Sequence, residues 1–219
     1  MSGYGVYLVA DSASTAGRPL VDIVKAAVDG GITTVQLRCK DMPAGEFVDL
    51  VMECAHHTAG RAALLVNDRV DVFLAARTSG ADVQGVHIGQ SDLPANLVRE
   101  LIGPGSVLGL SAAGDGEIRT ANQLNAFAPG TIDYLGVGAV HATPTKKDHP
   151  EPLGHAGLAR AVGLSDLPVI AIGGIDAADV APLARAGASG VAVVRAICAA
   201  DDPREASRNL RTLWEGSKP

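Results

Sequence analysis

Residues 35 to 94 decide the fold, because they state one pattern three times: VQLRCK (35–40), LLVNDRVDV (64–72) and GVHIGQSDLP (85–94). Each opens on a short run rich in valine, leucine and isoleucine. Each then turns polar: Gln36, Arg38 and Lys40; Asn67 and Asp68; His87, Gln90 and Asp92. Short apolar runs of this kind read as strands buried on both faces. Longer helical patterns separate them, so the strands pair in parallel through right-handed crossovers.

Outward from this stretch the same alternation covers the chain. Strands are predicted at 7–10, 34–38, 63–67, 85–88, 107–111, 134–138, 169–172 and 191–194. Helices are predicted at 20–29, 44–58, 71–76, 94–102, 117–127, 157–163, 178–186 and 202–214. In the first helix Val21, Val24, Ala27 and Val28 recur at helical spacing. Asp92 and Pro94 read as start signals for the fourth helix, and Gly30-Gly31 and Gly187 as stops. Eight such units in 219 residues predict an α/β protein with one (β/α)8 TIM-barrel domain over 1–219. The competing open, doubly wound sheet favours a GxGxxG after its first strand. Here that strand runs into Asp11-Ser12-Ala13. The one long polar connection, TPTKKDHPEPLG (143–154), follows the sixth strand, on the face where barrels keep their chemistry.

Composition narrows the function classes. Hydrophobic residues make up 47% and aromatics 3%, so the core is built from small branched side chains. The net charge of −6, without basic runs, argues against nucleic-acid and anionic-membrane partners. Anionic small molecules must be held by a local site. Three cysteines with no CxxC spacing predict neither disulfides nor structural zinc, and with no signal-peptide pattern at the start they suggest a cytoplasmic protein.

The polar residues cluster where a barrel does its work. Asp68 and Asp92 follow adjacent strands, so their carboxylates can converge. Either alone reads as a helix N-cap. As a pair beside Lys40 and Asn67, oxygen ligands without His or Cys suit Mg²⁺. Thr143, Thr145 and Lys146 bring hydroxyls and a cation to the end of the sixth strand. Gly173-Gly174 and Val194-Arg195 end the seventh and eighth strands, where barrels commonly hold phosphate against the backbone. His87 reads as packed and hydrogen-bonded, His56, His57, His149 and His155 as surface residues, and His141 as an open question near the active face. Flanking cations could lower the Cys39 pKa, although no base stands beside it. Gly109-Leu110-Ser111-Ala112-Ala113 breaks the GxSxG pattern, and neither HExxH nor a P-loop occurs, which weakens hydrolase and nucleoside-triphosphatase readings.

Taken in order, YLVAD (7–11), VQLRCK, LLVNDRVDV, GVHIGQSDLP, GLSA (109–112), DYLGVG (133–138), ATPTKKD (142–148) and AIGGI (171–175) resemble the thiamine phosphate synthase family over nearly the whole chain. The resemblance implies a Mg²⁺-dependent barrel joining two phosphorylated small molecules. These are 4-amino-2-methyl-5-(diphosphooxymethyl)pyrimidine and 4-methyl-5-(2-phosphoethyl)thiazole, giving thiamine phosphate and pyrophosphate. It implies that Gln36, Lys40, Asn67, Ser111 and Lys146 meet the pyrimidine diphosphate, with Lys40, Ser111 and Lys146 nearest the chemistry and Arg38 alongside. Asp68 and Asp92 would hold Mg²⁺. Thr143, Thr145, Gly173, Gly174, Val194 and Arg195 would cradle the thiazole phosphate. Departures from the family pattern are Ala139, His141, Ala113, Arg195 and a few extra residues around 77–83. Two other classes stay open: a related thiazole tautomerase, for which His141 would be the acid–base candidate, and a non-catalytic barrel that senses a thiamine precursor. Barrels of this kind also allow a homodimer.

Overall fold

A computed structural model describes residues 4–143 and 151–217. Thr145, Lys146 and His149 lie outside the described residues. The elements are β1 (Gly5–Asp11), α1 (Leu20–Asp29), β2 (Thr34–Arg38), α2 (Ala44–Thr58), β3 (Ala63–Asn67), α3 (Val70–Thr78), β4 (Gly85–Ile88), α4 (Ala95–Ile102) and β5 (Val107–Ala112). Then follow α5 (Asp115–Phe127), β6 (Tyr134–Val137), α6 (Gly154–Leu164), β7 (Val169–Ile172), α7 (Ala177–Arg185), β8 (Gly190–Val193), α8 (Arg195–Cys198) and α9 (Pro203–Glu215). All eight strands pair in parallel in chain order, and β8 closes on β1. This is the (β/α)8 barrel that the alternation predicts. Among the described residues no helix is long and apolar enough to cross a membrane.

The differences from the predicted elements fall at their ends, where polar and small residues carry no periodic signal. Strand β6 stops at Val137, not Gly138, and β8 at Val193, not Val194, because Val194 already caps the short helix α8. That four-residue helix escaped prediction, being too short to show a period. Helix α6 starts at Gly154, three residues before the expected 157. Gly30 caps α1 as expected but also packs: a Cβ there would lie 2.4 Å from the Arg204 carbonyl oxygen and 2.6 Å from Ser207 Cβ. Its missing side chain lets α9 lie against the end of α1.

The register separates two apolar layers. Leu8, Ala10, Val35, Leu37, Leu64, Val66, Val86 and Ile88 point outward under the helices and join the large core between sheet and helices. Tyr7, Val9, Leu65, Tyr134, Ile170 and Ala192 point into the barrel and pack on one another. Paired residues of parallel strands face the same way. The pairings Val9 with Gln36, Asn67 with His87, and Gly109 with both His87 and Tyr134 therefore put Gln36, Asn67 and His87 inside as well. Glycine makes room for these rings. A Cβ on Gly109 would lie 2.2 Å from Tyr134 Cζ and 2.5 Å from His87 Nδ1, and one on Gly136 would lie 2.9 Å from His87 Cε1.

Candidate active site

The barrel interior carries a buried polar chain that rises toward the strand ends. Gln36 Nε2 donates to the Tyr7 hydroxyl at 2.7 Å, and that hydroxyl lies 2.9 Å from the Tyr134 hydroxyl. The Tyr134 hydroxyl is 2.9 Å from His87 Nδ1, and His87 Nε2 is 2.9 Å from Ser111 Oγ. Burial pushes the pKa values of both tyrosines far above the ordinary phenol range, so both hydroxyls keep their protons. A buried polar group without a partner costs about 1–3 kcal/mol, so a closed chain like this fixes its members in place. Its two ends are Gln36 and Ser111, both on the predicted site. His87 is packed and hydrogen-bonded, as its strand position suggests.

Asp68 and Asp92 meet at the mouth of β3 and β4, and neither is a helix cap. Helix α3 starts at Val70 with Arg69 as its cap, and α4 has Pro94 there. Asp68 instead sits at φ 61°, a left-handed conformation uncommon for a residue with a Cβ. Its N–H donates to the His87 carbonyl at 2.8 Å, which pins it to the neighbouring strand. Asp92 Oδ2 accepts the Gly89 N–H at 2.7 Å. The two carboxyls are close enough for each to feel the other's charge. Burial, and then the nearby Asp92, raise the Asp68 pKa to about 6, while Lys40 and Asn67 pull it back. Two carboxyls forced together resist joint ionisation, and a cation between them removes that cost. The donors are oxygens only, which fits Mg²⁺.

Arg38 is tied down at the end of the neighbouring strand, β2. Its Nη1 lies 3.2 Å from Asp11 Oδ2, and Asp11 also accepts the Ala13 N–H and the Ser14 hydroxyl. Lys40 is exposed two residues on. Cys39 between them is buried, and burial raises its thiol to about 11, against the lowering that flanking cations suggested. Desolvation outweighs the guanidinium because Asp11 already neutralises it.

The β6–β8 side is built from backbone. Gly173 and Gly174 have φ 101° and 65°, both left-handed. A Cβ on Gly173 would lie 2.5 Å from Ala139 Cβ, and one on Gly174 2.8 Å from His141 Cβ. The His141 N–H donates to the Gly173 carbonyl at 2.9 Å, so the chain after β6 lies against the glycine turn. Gly174 is exposed, Val194 and Thr143 are partly so, and the exposed Arg195 opens α8. His141 and His155 both reach Asp179, so His155 is exposed but not a bare surface residue.

Sequence reading missed Tyr7, Tyr134, Asp11 and Asp179. The tyrosines carried a signal: each stands within a strand, and a buried phenol demands a hydroxyl partner. Asp11 ends its strand as Arg38 ends the next. Nothing local marked Asp179, whose partners are 38 and 24 residues away.

Glycines opening the end of β7, with paired carboxylates beside a lysine across the mouth, define a (β/α)8 barrel built to hold phosphorylated small molecules. The sequence profile of the thiamine monophosphate synthase family matches residues 6–197, and the chain belongs to that family. Thiamine-phosphate synthase of Roseiflexus castenholzii is 43% identical over 95% of this chain and 88% of that protein. That of Vibrio parahaemolyticus is 39% identical over 98% of this chain and 100% of that protein. The solved thiamine phosphate pyrophosphorylase of Pyrococcus furiosus superposes with a TM-score of 0.84 at 31% identity, covering 98% of this chain and 96% of that one.

Proposed function

We propose that this protein is a thiamine phosphate synthase, a transferase of thiamine biosynthesis. It joins the pyrimidine diphosphate to the thiazole phosphate and releases pyrophosphate. The observation that carries this reading over the tautomerase is the pairing of Asp68 with Asp92 beside Lys40 and Asn67. An isomerase acting on the thiazole alone has no diphosphate to neutralise. His141, the residue that kept the isomerase open, is engaged with Asp179.

The chemistry follows from the groups present. The bond between the pyrimidine methylene carbon and the diphosphate oxygen breaks, and the aminopyrimidine carries the resulting positive charge. The thiazole nitrogen then attacks that carbon. The substrate brings its own nucleophile, so the protein needs none. Asp68 and Asp92 would hold Mg²⁺, whose contribution is to neutralise charge on the departing diphosphate. Lys40 and Lys146 add positive charge there. Gln36 and Ser111, fixed by the buried tyrosine–histidine chain, orient the pyrimidine, and Asn67 contacts its diphosphate. Gly173, Gly174, Val194, Thr143 and Thr145 receive the thiazole phosphate through N–H and hydroxyl donors, with Arg195 at the rim. Holding both substrates in line is the second contribution to rate.

Pyrophosphate release, followed by a coupled assay, tests this reading. Release should need both substrates and stop on chelation. Full release after chelation removes the metal role. We place the protein in the cytosol, supported by three free, buried thiols. We also infer a homodimer, supported by exposed Leu97 and Leu101 on α4 and exposed Leu93 just before it. Sedimentation at a single monomer mass would reject that.

A further inference from the structure

Beside the glycine turn, three side chains from three places in the chain converge on one point. His141 follows β6, His155 lies in the first turn of α6, and Asp179 lies in the first turn of α7. Asp179 Oδ1 is 2.7 Å from His141 Nε2 and 2.7 Å from His155 Nε2. The two imidazoles meet edge to face with centroids 5.5 Å apart. All three ligand atoms lie within 4.8 Å of one another.

Among the described residues these atoms bond to one another, and the bracing falls on other atoms. The other oxygen of Asp179 accepts the Asp176 N–H at 3.0 Å, which fixes the carboxylate and points Oδ1 at the imidazoles. Burial raises the Asp179 pKa, but the Asp176 N–H and both histidines outweigh it and hold the carboxyl below its ordinary value. The Asp179 side chain is 10% exposed and those of the histidines 42%, so the cluster is anchored on one side and open to water on the other. The backbone is braced too: the Leu153 and Gly154 N–H groups donate to the Ala139 and Val140 carbonyls at 2.9 and 3.0 Å. The ends that carry the two histidines are therefore already held together.

We infer that His141, His155 and Asp179 form a second metal site, for a divalent ion of the Zn²⁺, Co²⁺ or Ni²⁺ class, distinct from the carboxylate pair at Asp68 and Asp92. Two imidazoles and one carboxylate are the ligand set that imidazole-preferring ions take, with water completing the coordination on the open side. Ligand atoms around such an ion stand about 3.3 Å apart, so each imidazole would withdraw from Asp179 by about half an ångström while the two imidazole nitrogens, within 4.8 Å of each other, settle to that spacing. The ion would replace the protons now shared between the imidazoles and Asp179. It would tie the end of β6 and the first turn of α6 to α7. Because His141 Cβ packs against Gly174, it would also steady the glycine turn.

Titration of the metal-free, full-length protein with Co²⁺ tests this. The expected result is one tightly bound equivalent with a visible ligand-field band, displaced by Zn²⁺ but not by Mg²⁺, and a raised Tm. His155→Ala should weaken Co²⁺ binding by at least about tenfold. Asp68→Asn should leave the band and the affinity unchanged. Three results overturn the inference: no saturable Co²⁺ binding, binding that survives His155→Ala unchanged, or binding lost in Asp68→Asn. The first would leave the cluster as hydrogen-bonded His–Asp pairs, and the last would assign the ion to the carboxylate pair.

Discussion

The two sides of the barrel mouth are built by different means. From β1 to β5 the site is made of side chains: Gln36, Asn67, His87 and Ser111 lead up to the paired Asp68 and Asp92. From β6 to β8 the described residues offer mostly backbone, at Gly173, Gly174 and Val194. A side-chain site fails when an atom is removed. A backbone site tolerates removal and fails when an atom is added. The two halves should therefore respond oppositely to truncation and to bulk, and substitutions can test that contrast.

The largest effect is expected at Asp68. Asp68→Asn keeps the shape, and asparagine tolerates φ 61°, but it removes the charge proposed to hold the cation. Coupling should fall by at least about 10³-fold. The metal-free variant should be no less stable than the parent above pH 6. The sign follows from the raised pKa of Asp68. The folded, metal-free state binds its proton more tightly than the unfolded chain, so stability is lost as pH rises through about 6. For the same reason Mg²⁺ affinity, measured by calorimetry, should fall about tenfold per unit as pH drops below that value. A flat profile would mean that the carboxyls do not share a proton.

Adding one methyl should injure the other half. Gly174→Ala forces a Cβ into a left-handed turn 2.8 Å from His141 Cβ. The KM for the thiazole phosphate should rise about tenfold, with the pyrimidine KM little changed. Equal rises in both would break the division of the mouth. Tyr134→Phe should cost about 1–3 kcal/mol by denaturant titration, because His87 and Tyr7 lose the hydroxyl between them. The smallest effect is expected from Arg195→Ser, a change of a few-fold confined to the thiazole phosphate, since the contact expected there is a backbone N–H.

The same contrast explains what the sequence disclosed. The barrel was legible because βα alternation is written in local periods. Gln36, Asn67, Asp68, Asp92 and Ser111 were legible because polar residues at strand ends interrupt apolar runs. Gly173 and Gly174 were legible only through the fold, since glycine pairs end many helices and strands. The tyrosine–histidine chain and the His141–His155–Asp179 cluster were not legible. Single positions signalled at most the need for a partner, as at Tyr7, Tyr134 and His87; the partners themselves are set by barrel closure and helix packing, which local sequence does not record. Neither aspartate takes the N-cap role that its local pattern alone would allow: the caps are Arg69 and Pro94, and Asp68 is held by the next strand.

The central claim is a coupling reaction, and its most direct test is to mix the purified protein with both substrates and Mg²⁺ and weigh the products by mass spectrometry. Thiamine phosphate and pyrophosphate in equal amounts, both absent with Asp68→Asn, are the predicted result. Either substrate bound but no thiamine phosphate formed would contradict the account and turn attention to the tautomerase and the sensor.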